Sequence, residues 1–220
     1  MFSVTNLATL IGVVTSEPRF QPMPGGDDVL TCDVTTRTTW KPDSEPCLHT
    51  EVHHIVARGV FAQRLHAGGL AVGHWLLCEG NVRTRSEGGV KSAVIEGQIL
   101  NDLGVPHGGE RPARNGVVLH GVVAGWSELE EARPAVLTFH LATKENDEGP
   151  PELHTIKVSG SRAPVLHGIL WPGYSLAIAG ELRYDFSRDG EGRQRRTVVI
   201  HAHEVQPMAR PVYVPTVVDA

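Results

Sequence analysis

The 220-residue sequence is poor in cysteine and in aromatic residues, has no long apolar run, and shows no excess of basic charge. Its three cysteines, Cys32, Cys47 and Cys78, are odd in number, widely spaced and form no CxxC. A disulfide framework is therefore not expected, and reduced thiols in a cytoplasmic protein are. No apolar stretch approaches the roughly 18 residues that a membrane-crossing helix needs. The N-terminal MFSVTNLATLIGVV lacks a basic start and a small-residue cleavage site, so no secretory signal is expected. Lys and Arg number 20 against 25 Asp and Glu, a formal charge of −5 with the 12 histidines neutral. That excludes a uniformly basic coat for a polyanion, and any such binding must use local basic patches. No GxSxG elbow, phosphate-cradling GxxxxGK[ST], HExxH helix or paired-carboxylate motif is present, so no enzymatic activity and no cofactor are expected.

What the sequence does hold is 24 glycines and 15 prolines that punctuate short runs of Val, Ile, Leu and Thr. Helix signals are scarce, and the pattern is that of an all-β chain. Strands are expected at Val4–Thr15, Val29–Arg37, Glu51–Arg58, Trp75–Arg85 and Val90–Ile99. A second series is expected at Val117–Gly125, Ala135–Thr143, His154–Ser159, Ser175–Tyr184 and Arg195–Val205. Val60–Ala67, between the third and fourth strands, has room for one or two helical turns.

The two series are copies of one another. Asn6-Leu-Ala-Thr-Leu-Ile-Gly12 parallels Asn115-Gly-Val-Val-Leu-His-Gly121, and Leu30–Arg37 parallels Leu137–Lys144. Gly73–Arg83 parallels Gly173–Arg183, and the offset shrinks along the chain as the loops of the second copy shorten. The expected organisation is a first domain at 1–104, a linker at 105–114, a second domain at 115–208 and a short extension at 209–220. Five strands with a short helix between strands three and four suit a small, partly open barrel. The OB fold, whose face and hairpin loops take single strands, has this element order; other small barrels share it.

Four stretches of the first half resemble the bacterial single-stranded DNA-binding protein (SSB) family. These are Asn6–Gly12 with Pro18-Arg19-Phe20, then Thr35–Lys41, Thr50–Gly59, and Glu79-Gly-Asn-Val-Arg-Thr-Arg85. The resemblance implies two tandem five-stranded OB barrels, each with a short helix between strands three and four. It implies a non-sequence-specific single-stranded DNA binder acting in replication, recombination or repair. It also implies a homodimer presenting four barrels. The sequence departs from the family pattern in places. Val52 stands where the third-strand motif has an aromatic, Arg58 where Phe is common, and Ser86-Glu87 follow Arg85 where another aromatic is usual. The acidic, Phe-ended tip is replaced by Pro211-Val-Tyr-Val-Pro-Thr-Val-Val-Asp-Ala220, which puts tip-mediated recruitment of repair partners in doubt.

Binding a single strand without base choice needs cations along the phosphates and planar side chains against the bases. Trp40 beside Lys41, on a loop, is a candidate for stacking, as are Tyr184 and Phe186, which alternate onto one strand face that is either exposed or core. Arg83, Arg85 and Lys91 flank one hairpin, and Arg183, Arg188, Arg193, Arg195 and Arg196 flank its repeat. Arg37 and Arg58 join them if strands two and three line the groove. The competing reading is a solvated hairpin that Arg and Lys protect from edge pairing. Trp75, Trp126 and Trp171 are expected to fill cores or the seam between barrels. Cys47, His49, His53 and His54 fit no established zinc spacing, so no metal is expected. His53 falls where the family has a histidine near a subunit interface, which assigns it an interface role. The lost aromatics and the acidic total also admit a different function: an OB adaptor that binds proteins in a replication or conjugation assembly. A preference for RNA or duplex is a third.

Overall fold

A computed structural model describes residues 6–40, 47–87, 90–106, 112–144, 150–188 and 194–209. The first copy runs β1 (Asn6–Val14), a short β2 (Arg19–Gln21), β3 (Val29–Trp40), β4 (Cys47–Arg58), α1 (Gly59–Ala67), β5 (Trp75–Glu87) and β6 (Val90–Asp102). The second repeats it as β7 (Arg114–Val123), β8 (Glu128–Glu130), β9 (Val136–Thr143), β10 (Glu152–Ser159), α2 (Arg162–His167), β11 (Ser175–Arg188) and β12 (Gln194–Ala209). Every expected strand is present. The hairpin strands run further than the hydrophobic pattern indicated, because β3 and β4 stay paired out to Trp40 and Cys47.

Each copy closes on itself. β1 bends so that its early residues pair with β5 while Val13 and Val14 pair with β3. β4 then runs parallel to β6, completing a five-stranded barrel of the OB type. β7 makes the same double pairing with β11 and β9. The repeated motif Asn-x₅-Gly has a structural cause at both ends. Asn6 Nδ2 donates to Val82 O at 2.9 Å and Asn6 Oδ1 accepts from Val82 N at 3.0 Å, and Asn115 does the same with Leu182 at 2.8 and 3.1 Å. Gly12 and Gly121 lie where the strand bends: a Cβ there would sit 2.4 Å from Thr35 O or from Ala142 O.

Strict alternation along β1 and β3 sends Leu10, Leu30 and Val34 inward to meet Ile55, Leu76 and Ile95. Leu119, Leu137, Phe139, Ile156, Leu176 and Ile178 fill the second barrel. Ala62 and Leu65 of α1 plug one barrel end, and Ala163 and Leu166 of α2 plug the other. Cys32 and Cys78 lie in the first core, where burial pushes both thiols up to about 12 and closes thiolate chemistry to them at neutral pH.

The barrels join through β1 and β7, which pair antiparallel with Asn6 opposite Leu119, Ala8 opposite Val117 and Leu10 opposite Asn115. Asn6 and Asn115 are equivalent in the repeat, as are Leu10 and Leu119. A local two-fold axis therefore passes between Ala8 and Val117, and the chain carries an isologous interface within itself.

Candidate nucleic-acid interface

The two-fold seam decides the fate of four candidate side chains, His53, Arg183, Tyr184 and Arg196. On one side, β4 of barrel one lies on β11 and β12 of barrel two. His53 is fully buried there, its Nε2 2.9 Å from Thr36 Oγ1 and its Nδ1 3.5 Å from the Tyr184 hydroxyl. The Arg196 guanidinium stands 3.5 Å from the centre of the Tyr184 ring and donates to Val52 O. Arg183, also buried, donates to His49 and to Glu181 Oε2, each at 3.1 Å. On the other side, β10 of barrel two approaches β5. Glu152 accepts from Thr84 N, and His154 Nε2 lies 2.9 Å from Thr143 Oγ1, the counterpart of the His53–Thr36 pair.

These contacts correct two expectations. Arg183 and Tyr184 are buried between the barrels, so neither offers a free face to phosphate or base. Desolvation pushes the Tyr184 phenol up to about 12, only partly opposed by Arg196. Arg196 remains exposed at its rim but is held by Tyr184 and Val52. The sequence placed Tyr184 and Phe186 on one face; beyond the barrel end, the partner barrel covers the first and leaves the second 62% exposed.

The ribbon β3–β4 presents its outward residues as cross-strand pairs: Arg37 opposite Thr50, Thr35 opposite Val52, Asp33 opposite His54. Arg37 is exposed, and Thr15 Oγ1 lies 2.9 Å from Thr35 Oγ1. With Val13, Trp75 and Ala113 these residues line an open depression of about 200 Å³. His54 pairs with Asp33 at 2.9 Å on the open surface, where such a pair contributes little to stability. Arg58 Nε donates to Glu96 Oε1 at 2.9 Å, and Arg83 Nε reaches Glu96 Oε2 at 3.4 Å. Burial raises the Glu96 carboxyl pKa, and the two arginines more than reverse that, holding it below the usual carboxylate range. Both guanidiniums are thus partly committed to Glu96.

Trp40 ends β3, Arg85 lies on β5, Lys91 on β6, Arg188 on β11 and Arg195 on β12. Their side chains, and residues Lys41 and Arg193 altogether, lie outside what the structure describes. The expectation for the other tryptophans holds for Trp75, which is buried, and fails for two. Trp126 and Trp171 are 69% and 55% exposed, with ring centres 5.6 Å apart. The repeat contained the signal for this: it aligns them with Glu17 and Ala71, positions that a barrel leaves at its surface. Among the described residues no group of three or more His, Cys, Asp or Glu could hold a metal ion.

A model of the single-strand binding protein family matches residues 114–208. Two solved structures share the complete architecture, both of the single-stranded DNA binding protein from Thermus aquaticus. A deletion variant superposes with a TM-score of 0.80 at 20% identity, covering 98% of this chain and 100% of that one. The wild-type protein superposes with a TM-score of 0.78 at 20% identity, covering 95% of each chain. No curated protein matches the sequence significantly.

Proposed function

We propose that this chain, whose second barrel belongs to the single-strand binding protein family, binds single-stranded DNA without base choice. It would protect exposed strands during replication, recombination or repair. The observation that carries the reading is the β11–β12 hairpin. It places Phe186 in solvent, with Arg188 two positions along the same strand, Arg196 directly opposite Phe186 on β12, and Arg195 opposite the next residue, Ser187. A flat ring beside cations is what a single strand requires, because every base has a face to stack and every nucleotide a phosphate. Arg37 and the threonines of the β3–β4 ribbon extend this track onto barrel one, with Trp40, Lys41, Arg85, Lys91 and Arg193 as further assigned contacts. Arg58, Arg83 and Arg196 contribute field more than direct contact, since protein groups already engage them.

Titration with oligo-dT, with a duplex of equal length and with single-stranded RNA tests the reading. Preference for oligo-dT supports it, and absence of binding at low salt refutes it. The adaptor reading draws on one observation, the commitment of Arg58, Arg83, Arg183 and Arg196 to protein partners.

The assembly proposed with it is a homodimer of four barrels. The outward face of the central strands carries Ile99, Val118 and Val122, each more than 40% exposed. A second copy meeting that face would cover the apolar strip.

A further inference from the structure

Thr15, Thr35 and Thr50 line one open depression on barrel one, of about 200 Å³. They meet because the bent β1 sets Val13 opposite Thr35, while the β3–β4 ribbon sets Arg37 opposite Thr50. Thr15 Oγ1 and Thr35 Oγ1 lie 2.9 Å apart and either can be the donor, so the pair can offer a ligand a hydrogen or a lone pair. Thr50 is exposed, and its hydroxyl has the same freedom. Val13 and the buried Trp75 give the depression an apolar part, and the exposed Arg37 gives it a permanent positive charge.

Size and chemistry narrow the ligand. Pockets that enclose a whole small molecule run to roughly 300–1,000 Å³. This one is smaller and open, which suits one unit of a longer molecule whose neighbours lie outside. An apolar contact, hydroxyls and a guanidinium together match a nucleotide. Its ring needs the apolar contact, its ring edge needs donors and acceptors, and its phosphate suits the two parallel N–H donors of an arginine. Hydroxyls that both donate and accept do not choose among base edges, whereas a fixed amide or carboxylate does.

Barrel two does not repeat the arrangement. Val122 lies opposite Ala142 and Ser175, as Val13 lies opposite Thr35 and Trp75. Ala124 N donates to His140 O as Thr15 N donates to Asp33 O, both at 2.9 Å. Ala142 pairs with Leu153 as Thr35 pairs with Val52, which puts Pro151 at the position of Thr50 and Lys144 at that of Arg37. The three threonines thus become Ala124, Ala142 and Pro151, and the indole becomes Ser175. A barrel of this kind closes without them, so its architecture does not account for their presence.

The depression also connects to the hairpin of barrel two. Thr35 lies opposite Val52, Val52 O accepts from Arg196, and Arg196 lies opposite the exposed Phe186. We propose that the depression is a base subsite of barrel one, taking one nucleotide of a single strand that continues over Arg196 to Phe186; this rests on the single-strand reading above. The base lies against Val13 and Trp75 with its edge on the threonine hydroxyls, and a neighbouring phosphate lies on Arg37.

The test uses the full chain, oligo-dT, and a strand of equal length whose nucleotides are abasic, all at low salt. T15V, T35V and T50V combined keep the size of each side chain and remove three hydroxyls. The triple variant should bind oligo-dT at least about fivefold more weakly, with an unchanged salt slope because no phosphate contact is lost. On the abasic strand it should match the wild type. In the wild type, the Trp75 indole NMR signal, assigned with W75F, should shift when oligo-dT is added. An unshifted Trp75 signal in the bound wild type, or a triple variant that binds oligo-dT as tightly, overturns the subsite and leaves the single-strand reading standing. Equal weakening on both strands overturns it too, by placing the hydroxyls on the backbone. A wild type that does not bind oligo-dT at all refutes the single-strand reading, and the subsite falls with it.

Discussion

Phe186 and Tyr184 lie two residues apart on one strand, and the seam between the barrels separates their roles. Phe186→Ala removes an exposed ring, so it should leave stability unchanged and weaken oligo-dT binding by about 1–3 kcal/mol per stacked base, read by anisotropy titration. Tyr184→Ala empties a buried site under Arg196 and beside His53. It should cost about 3 kcal/mol in denaturant unfolding and affect DNA binding only through the loosened seam. Histidine is the other residue that burial has redirected. His53 is held at about 3 by burial and then Arg196, and His154 at about 4 by burial and then Arg83. Both therefore remain neutral in the folded protein, whereas in the unfolded chain they take up protons near 6.5. The unfolded state then binds more protons below that pH. The stability that the neutral rings contribute is complete above pH 6.5 and is lost as pH falls toward 4. At pH 5 each ring costs about 2 kcal/mol. Denaturation midpoints measured from pH 7.5 to 4.5 should fall steadily, and H53Q should flatten part of that slope.

At the scale of elements, the strands were legible because alternation and Gly/Pro punctuation are local properties. The repeat located both barrels because equivalent residues meet equivalent surroundings, as the Asn6 and Asn115 clamps show. The close approach of Gly121 to Ala142 O predicts that Gly121→Ala displaces β9 and costs about 1–3 kcal/mol in unfolding, from overpacking. What the sequence did not reveal lies where one barrel covers the other. Arg183 and Tyr184 continue the pattern of a solvent-facing hairpin, and no local signal announces that β4 lies on them. The same holds for Glu96, whose neutralisation of Arg58 and Arg83 joins residues distant in sequence. Trp126 and Trp171 read as core by residue type, and only their repeat positions point outward. Of the candidate site, the position of the hairpins was readable; which of their cations remain available was not.

For the whole molecule, the two-fold through Ala8 and Val117 makes one chain equivalent to a dimer of barrels, yet the two halves of its seam differ. One side is stacked around Tyr184 and Arg196; the other is closed by Glu152 on Thr84 N. The binding surfaces of the two barrels are therefore expected to be unequal, with exposed Phe186 on barrel two. The acidic total is spread over both halves, so attraction for DNA must come from narrow tracks against an unfavourable mean field. Replacing Arg37 with Ala should lower the salt slope of binding by about 0.7, the increment for one phosphate contact on a single strand.

Single-strand binding along such a track is tested most directly by an oligo-dT titration of the full chain at several salt concentrations. Binding is expected at low salt, with the logarithm of the affinity falling linearly with the logarithm of salt concentration. Absence of binding at low salt, or an affinity that salt does not change, would contradict it.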